Sequence, residues 1–287
     1  MDYLLLTLTA FTTSVQNILK QRYNKKARGG VFIFSALSSA VAALVFIVTS
    51  KDSGFSASQL PYSFGFAASY CSAIVFSILS IRTGPLAKTN LVLSCSLLIP
   101  TFYGIIALRE DIKPTLIAGI ILLVAAIFLT NYVKSTDESE KRASLKWIIY
   151  VILAFIANGM CSTVQKMENN VFGAYGKNTF MIIALASVVA VMLISSFAVK
   201  DERENLKDNL KAGAPLIALC GLCNGVTNAL VMFLNTKIPA SVMFPVISAF
   251  GMILIFVYSV TVLKEKYSTL QKIGYACGLV SVILLNL

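Results

Sequence analysis

The sequence predicts an all-α integral membrane protein with ten transmembrane helices, arranged as two five-helix inverted repeats. The first reason is composition: 57% of the 287 residues are hydrophobic and 13% are charged, and the mean hydropathy is +0.80. A soluble domain carries about a quarter charged residues, so these values place the chain in the membrane class. The second reason is the length of the apolar runs, and the third is a helical hairpin pattern that occurs twice.

Ten apolar runs are long enough to cross the ~30 Å hydrocarbon core of a bilayer, because an α-helix rises ~1.5 Å per residue. We predict transmembrane helices over Tyr3–Gln21, Gly30–Thr49, Pro61–Ile81, Pro85–Leu108, Thr115–Val133, Trp147–Gln165, Asn178–Val199, Gly213–Thr236, Pro239–Leu263 and Leu270–Leu287. Charged segments separate the runs. The chain therefore divides into a first five-helix repeat over residues 1–133, a charged linker over residues 134–146, and a second five-helix repeat over residues 147–287.

The two halves carry the same residues at their breaks. Equivalent residues lie 154 or 155 positions apart, namely Pro85 and Pro239, Glu110 and Glu265, and Gly119 and Gly274. Five is an odd number of helices, so a second half in tandem must enter the membrane from the opposite side. The halves are then related by a pseudo-twofold axis in the membrane plane. This architecture is typical of secondary transporters, whose substrate site lies at the repeat interface near the midplane.

The net charge of +11 favours a role in membrane topology over nucleic-acid binding. The basic residues lie between apolar runs and form no patch interleaved with aromatic residues. Of the 24 Lys and Arg residues, 18 fall in alternate loops on one side or at the span ends that flank them. The positive-inside rule then puts both termini outside and the linker in the cytoplasm.

Several classes of chemistry are excluded or disfavoured. The chain contains no histidine, which excludes Ser-His-Asp and Cys-His catalysis. The six cysteines fall in predicted spans, where we expect them to pack as small apolar residues. The sequence has no phosphate-binding loop and no metal-binding cluster. We therefore expect no enzyme activity, no catalytic residue, no cofactor and no metal.

The closing segment, PASVMFPVISAFGMILIFVYSVTVLKEKYSTLQKIGYACGLVSVILLN, resembles the last helical hairpin of the drug/metabolite transporter superfamily, in its ten-helix EamA-like branch. The shared pattern is a small-residue entry, an apolar helix, a Glu at the turn and a Gly nine residues later, at Glu110/Gly119 and Glu265/Gly274. The resemblance covers essentially the whole chain. It implies a bundle in which helices one to four and six to nine surround a central cavity, with helices five and ten at the periphery. It also implies alternating access driven by a gradient. Family members handle amino acids, other metabolites, nucleotide-linked sugars and drugs.

The chain departs from the family in two respects. Members of this size usually keep both termini in the cytoplasm, whereas the charge count favours termini outside. Small multidrug resistance relatives carry a membrane-embedded Glu in their first helix, and alignment of AFTTSVQNILK on that helix puts Thr12 at its position. We predict all 13 acidic residues in loops or at span ends, with Lys166 and Glu168 as an ion pair after the sixth span. A cation exporter that depends on a midplane carboxylate is therefore disfavoured.

The candidate substrate site consists of neutral hydrogen-bonding side chains. A charge at the bilayer centre costs about 2.5–3.5 kcal/mol, and none is predicted at mid-span. Polar residues recur at intervals of three and four on several spans, which places them on common helix faces. The candidates for the central cavity are Thr13, Gln16, Asn17, Tyr70, Asn90, Ser94, Asn158, Ser162, Asn224, Thr227, Asn228 and Ser248. The alternative is helix packing, or a hydrogen bond from Ser or Thr back to its own helix.

These observations favour a secondary active transporter that exports a small neutral or zwitterionic metabolite, such as an amino acid, across the cell membrane. A multidrug exporter of lipophilic compounds and a non-transporting membrane or lipid-handling component stay open as alternatives. The expected partners are the small-molecule substrate and the lipid bilayer. A homodimer stays open as an assembly, and we expect no nucleic-acid partner.

Overall fold

A computed structural model describes residues 2–26, 30–50, 54–83, 89, 92–130, 145–264 and 268–285. Within these ranges the chain is helical and has no β-strand, which confirms the predicted all-α class. Most of the predicted linker, residues 134–144, lies outside the described residues. The last two linker residues, Leu145 and Lys146, already belong to the following helix.

The described α-helices overlap the predicted spans, but several extend beyond them and the helix of the fourth span is shorter. They are α1 (Asp2–Lys26), α2 (Val31–Thr49), α3 (Leu60–Thr83), α4 (Leu98–Ile106), α5 (Pro114–Thr130), α6 (Leu145–Phe172), α7 (Lys177–Ala198), α8 (Lys200–Glu204), α9 (Leu206–Leu234), α10 (Ala240–Tyr258) and α11 (Thr269–Leu285). Short 3-10 turns, Ala57–Gln59 and Cys95–Leu97, precede α3 and α4, and a π-helical turn, Ser259–Leu263, extends α10.

Among the described residues, six helical segments are long and apolar enough to cross a membrane. They are Val31–Thr49, Ala57–Thr83, Leu145–Phe172, Lys177–Ala198, Gly213–Leu234 and Ala240–Val262. Large apolar side chains on the helices are exposed, among them Val48 and Ile194, as a surface in contact with lipid requires. The chain is therefore a multi-pass membrane protein, and the count of ten transmembrane helices stays a prediction.

The charged segment Lys200–Lys211 is helical, so its prediction as a loop between spans is wrong. It forms α8 and the first turns of α9, because Lys, Glu and Leu all favour the helical state. Its Glu202 is 4% exposed and accepts hydrogen bonds from the backbone N–H groups of Phe32 (3.0 Å) and Ile33 (3.2 Å). These are donors of the first turn of α2, which the helix itself leaves unsatisfied.

The chain packs into two compact units that each draw on both halves of the sequence. Unit 1 contains Met1–Cys71 and Met167–Lys237, and unit 2 contains Ser72–Lys166 and Ile238–Leu287. The helices α3 and α6 each contribute their two ends to different units. The two units are defined by which residues pack together, whereas the predicted repeats are defined by similarity along the sequence. The units therefore do not test the repeat boundaries, which stay a prediction.

In unit 1, α2 packs against both α7 and α9, and α9 packs against α1. The contact between α2 and α9 is close because α9 presents glycines. A Cβ atom on Gly221 would lie 2.6 Å from the carbonyl oxygen of Ser38, and one on Gly225 would lie 2.8 Å from Cβ of Val45. Glycines spaced by four allow two helix backbones to approach in this way.

In unit 2, the contact between α5 and α11 is reciprocal. A Cβ atom on Gly119 would lie 2.8 Å from Cγ of Leu285, and one on Gly274 would lie 2.8 Å from the backbone nitrogen of Thr130. Gly274 and Leu285 each follow their counterparts, Gly119 and Thr130, by 155 positions. Equivalent positions thus meet across the contact, and the early part of each helix meets the end of the other. The two helices are therefore locally antiparallel.

One residue before each of these helices has a positive φ. Arg109 (φ 53°) and Lys264 (φ 54°) are the two non-glycine residues with positive φ in the described part of the chain. They also lie 155 positions apart. A left-handed residue is a common way to end a helix, and here it occurs at equivalent points of the two halves.

Candidate substrate-binding residues

The sequence-predicted residues fall in both units, which we describe separately. Unit 1 contains Thr13, Gln16, Asn17, Tyr70, Asn224, Thr227 and Asn228, and unit 2 contains Ser94, Asn158, Ser162 and Ser248. The remaining candidate, Asn90, lies outside the described residues.

Three polar side chains link α1 to α9 in unit 1, and we call them the α1–α9 hydrogen-bond chain. Gln16 is 7% exposed and donates from Nε2 to Oγ1 of Thr227 at 2.8 Å. Thr227 donates in turn to Oγ1 of Thr12 at 2.7 Å. Thr12 completes the chain by donating to the carbonyl oxygens of Leu8 (3.1 Å) and Thr9 (3.0 Å). Thr12, a polar residue of the first predicted span, is the position that aligns with the embedded Glu of the small multidrug resistance relatives.

A second polar pair lies on α9 beside this chain. Asn228 donates from Nδ2 to the side-chain oxygen of Asn224 at 2.8 Å and to its carbonyl oxygen at 2.9 Å. Asn224 is buried and Asn228 is half-buried. Together with the α1–α9 hydrogen-bond chain, this pair forms a group of neutral donors and acceptors that can bind polar solutes.

The other candidates of unit 1 do not join the chain. Thr13 donates back to the carbonyl oxygen of Thr9 at 2.8 Å, the alternative that the sequence left open. Tyr70 stacks on Phe66 with ring centroids 6.0 Å apart. Asn17 is exposed. Successive helix residues are rotated by ~100°, so Gln16 and Asn17 cannot both face α9, and the predicted common face of these residues is only partly formed.

In unit 2, the candidate Asn158 makes a hydrogen bond to another segment. It lies on α6 and donates from Nδ2 to Oγ of Ser96 at 2.6 Å. The adjacent Gly159 permits the contact, because a Cβ atom there would lie 2.6 Å from the carbonyl oxygen of Ser96. Ser96 was missed in the sequence, where its only signal is a position two residues after the predicted Ser94. Ser162 and Ser248 are half-buried, and Ser94 is exposed.

Unit 2 also contains a buried charged group, which we call the Glu110 junction. Glu110 accepts hydrogen bonds at its two carboxylate oxygens from the backbone N–H groups of Ala240 and Ser241, both at 2.8 Å. Lys166 Nζ lies 3.8 Å from Glu110 Oε1 and donates to the carbonyl oxygen of Ile238 at 3.3 Å. The Glu110 carboxylate thus accepts hydrogen bonds from backbone N–H groups in the first turn of α10, and it forms an ion pair with the ammonium group of Lys166.

The predicted ion pair between Lys166 and Glu168 is wrong. Residues two apart on a helix point to different sides, and α6 continues to Phe172 instead of ending at Gln165. Lys166 therefore reaches Glu110, as described above. Glu168 lies within α6, is 0% exposed, and accepts a hydrogen bond from Nε2 of Gln59 at 2.8 Å.

The apolar helices and their exposed apolar side chains define a multi-pass α-helical membrane protein, with neutral polar side chains between helices. Residues 145–287, just under half of the chain, match the EamA-like transporter family. This match is consistent with a membrane transporter of the drug/metabolite transporter superfamily, and it confirms the resemblance proposed from the sequence over these residues.

The other comparisons concern the fold. No curated protein matches the chain. Among 29 matching chains of solved structures is one described as "Crystal structure of protein". It has a TM-score of 0.74 and 13% sequence identity, over 97% of this chain and 95% of its own. At this identity the similarity concerns the fold alone.

Proposed function

We propose that the protein is a secondary active transporter that exports a small neutral or zwitterionic metabolite, such as an amino acid. It does so by alternating access across the cell membrane, with ten transmembrane helices in two inverted five-helix repeats. The observation that carries the proposal is the α1–α9 hydrogen-bond chain with its neighbouring Asn224–Asn228 pair.

These side chains suit a solute without net charge. Their groups are amides and hydroxyls, which offer both donors and acceptors, and none of Thr12, Gln16, Asn224, Thr227 and Asn228 titrates. Hydrogen bonds between membrane helices contribute only ~0.6 kcal/mol on average. A solute can therefore replace such a bond with one of its own at little cost, which favours release as well as binding.

The contacts of unit 2 support the alternating-access part of the proposal. The reciprocal contact of Gly119 and Gly274 and the matching left-handed residues Arg109 and Lys264 have the spacing of an internal repeat. Antiparallel equivalent helices are what a twofold axis in the membrane plane produces. In transporters with such repeats, the solute site is exposed to the two sides in turn.

The test is ligand-dependent thermal unfolding of the purified protein in detergent, followed by solute flux in proteoliposomes. The panel contains the L-amino acids, other small metabolites and lipophilic cations. A ligand at about 100 times its Kd adds ~2.7 kcal/mol to the free energy of unfolding, a readily measured shift. We expect stabilisation by one class of neutral or zwitterionic solutes and flux of that class.

Variants of the α1–α9 hydrogen-bond chain test whether the ligand binds there. We expect Gln16→Leu and Thr227→Val to abolish ligand stabilisation and flux. The matched control is Thr49→Val, because Thr49 is exposed and donates within its own helix, to the carbonyl oxygen of Val45 at 2.7 Å. Stabilisation by lipophilic cations alone would instead support a multidrug exporter. Absence of flux for every compound, with one stoichiometric copurifying partner, would refute transport and support the non-transporting alternative.

The proposed orientation, with both termini outside, has a separate test. An epitope fused after Leu287 should bind antibody in intact cells if the charge distribution sets the topology. Antibody binding only after permeabilisation would reverse the orientation and agree with the family precedent.

A further inference from the structure

Glu168 is buried without the partners that a carboxylate requires. It is 0% exposed, and one of its oxygens, Oε1, accepts the hydrogen bond from Gln59. The other oxygen, Oε2, makes no hydrogen bond with any residue that the structure describes. An ionised carboxylate buried with a single neutral donor is costly, and a protein avoids that cost by pairing the charge or by protonating the group.

The buried Glu202 and the half-buried Glu110 are satisfied differently. Each accepts hydrogen bonds at both oxygens from backbone N–H groups at the start of a helix, α10 for Glu110 and α2 for Glu202. Glu110 also has the ammonium group of Lys166. Those arrangements stabilise the ionised form. Among the described contacts, Glu168 neither accepts a hydrogen bond from the first turn of a helix nor forms an ion pair.

The single donor to Glu168 is held rigidly. Gln59 donates from the same Nε2 to the carbonyl oxygen of Tyr175 at 3.0 Å, and its Oε1 accepts from the backbone N–H of Ser56 at 3.3 Å. This pattern fixes which end of the amide faces Glu168. Gly176 closes the site, because a Cβ atom there would lie 2.5 Å from Oε1 of Gln59. The amide cannot reorient to serve the second oxygen.

The titratable groups on the neighbouring elements point elsewhere. Tyr175 donates its hydroxyl to the carbonyl oxygen of Phe55 at 3.3 Å, and Tyr62 packs edge-on against Phe172 with centroids 5.8 Å apart. Lys177 lies with Nζ 5.9 Å from the ring centroid of Phe233. Within the described part of unit 1, a proton is therefore the simplest species to satisfy Oε2.

We propose that Glu168 is a proton-binding site and that its proton is coupled to solute movement. The coupling part rests on the proposed transport function. The route to the candidate site is short: the next residue, Asn169, donates from Nδ2 to the carbonyl oxygen of Met232 at 3.2 Å. Met232 lies one turn after Asn228 on α9. Protonation at Glu168 can thus shift the segment of α6 that is hydrogen-bonded to the helix bearing the polar pair.

A repeat-related junction provides the control. Gly30 and Gly176 both precede a helix in the left-handed conformation, with φ of 84° and 64°. At Gly30 the neighbouring helix supplies Tyr23, which donates its hydroxyl to the carbonyl oxygen of Gly30 at 3.2 Å. The carboxyl group at this junction, Glu202, has a backbone N–H donor at each of its oxygens, whereas Oε2 of Glu168 makes no hydrogen bond with a described residue.

The first experiment is infrared difference spectroscopy of the purified protein between about pH 9 and about pH 5.5. Exposed glutamates, with an ordinary pKa near ~4.3, stay ionised over this range. We expect the carbonyl stretch of a protonated carboxylic acid to appear on acidification and to move to lower frequency in D2O. Glu168→Gln should abolish the band, whereas Tyr23→Phe and Glu204→Gln should retain it. A wild-type protein without the band, or a band that persists in Glu168→Gln, would overturn the assignment.

A second variant covers the case in which Glu168→Gln does not fold. Gln59→Leu keeps the carboxyl group and removes the hydrogen bond to its carbonyl oxygen, so the band should move to higher frequency. An unchanged band in Gln59→Leu would show that it arises elsewhere and would overturn the proposal.

Coupling is tested in proteoliposomes that contain a pH-sensitive dye and receive each L-amino acid in turn. We expect wild-type protein to move protons with the amino acid it transports, and Glu168→Gln to move the amino acid without a dye response. An equal dye response in both would refute coupling through Glu168. If no amino acid moves in either protein, the proposed function fails for this class of solute, and the infrared band still decides whether Glu168 binds a proton.

Discussion

Removal of the Glu110 carboxylate should destabilise the protein by about 3–5 kcal/mol. That is the usual cost of removing one partner of a buried ion pair, and the side chains of Lys166 and Glu110 are 8% and 12% exposed. Glu110→Ala also leaves two N–H donors at the start of α10 unsatisfied, each hydrogen bond to a charged group contributing ~1.5–3 kcal/mol.

The assay is reversible unfolding of the purified protein in mixed micelles with increasing SDS. The chain has one tryptophan, Trp147, which is 9% exposed and donates to Oγ1 of Thr89 at 2.9 Å. Its fluorescence therefore reports on the packing of unit 2, where the Glu110 junction lies. The control is Glu204→Ala, since Glu204 forms an exposed pair with Lys200 at 3.8 Å and such pairs contribute ~0.3–0.5 kcal/mol.

A double variant separates the ion pair from the helix cap. Glu110→Ala with Lys166→Met removes both charges, so it should be more stable than Glu110→Ala alone by at least about 1 kcal/mol. Lys166→Met alone should cost less than Glu110→Ala, because the carboxylate keeps its two backbone donors. If the two single losses simply add in the double variant, the charges do not interact and the reasoning is refuted.

The remaining predictions concern glycines. Gly274→Ala should destabilise the protein by about 1–3 kcal/mol, because its Cβ would meet the backbone nitrogen of Thr130 at 2.8 Å; wild-type stability in the same SDS titration would contradict the close α5–α11 contact. Gly173→Ala and Gly176→Ala form a matched pair with φ of 60° and 64°, and the strain of a left-handed alanine is about 1 kcal/mol in both. Nothing lies within 4 Å of a Cβ on Gly173, whereas Gly176 faces Gln59, so Gly176→Ala should have the lower thermal unfolding temperature. Equal losses would show that Gln59 is free to move.

The helices were predictable because their signal is local. Apolar runs bounded by charges gave α2, α7 and α11 to within one or two residues at their starts. The Lys200–Lys211 segment could not be assigned in the same way, because a charged helix and a charged loop have similar composition. What decides between them is the burial of Glu202 against the first turn of α2, a contact between residues about 170 positions apart.

The candidate site was predictable in its chemistry and less so in its geometry. The sequence favoured neutral amides and hydroxyls, and Gln16 and Thr227 do meet. It could not tell Gln16 from Asn17, since helix periodicity gives relative directions and not which direction faces a partner helix. The burial of Glu168 could not be predicted for a related reason. Whether Glu168 is buried depends on where α6 ends, and the charged residues after Gln165 are those expected at the end of a transmembrane span.

The interleaved units have a consequence for biosynthesis. Unit 1 needs residues Met1–Cys71 and Met167–Lys237, so a ribosome must deliver more than four fifths of the chain before that unit can close. Until then the side-chain amide of Gln16 lacks its native acceptor, the hydroxyl of Thr227, which lies 211 positions downstream. A nascent chain that stops after the first half leaves this amide without its native acceptor, in a solvent that supplies no hydrogen bonds. The insertion machinery must therefore shelter polar groups of early helices until the late ones arrive, and fragments released too soon are natural targets for membrane proteases.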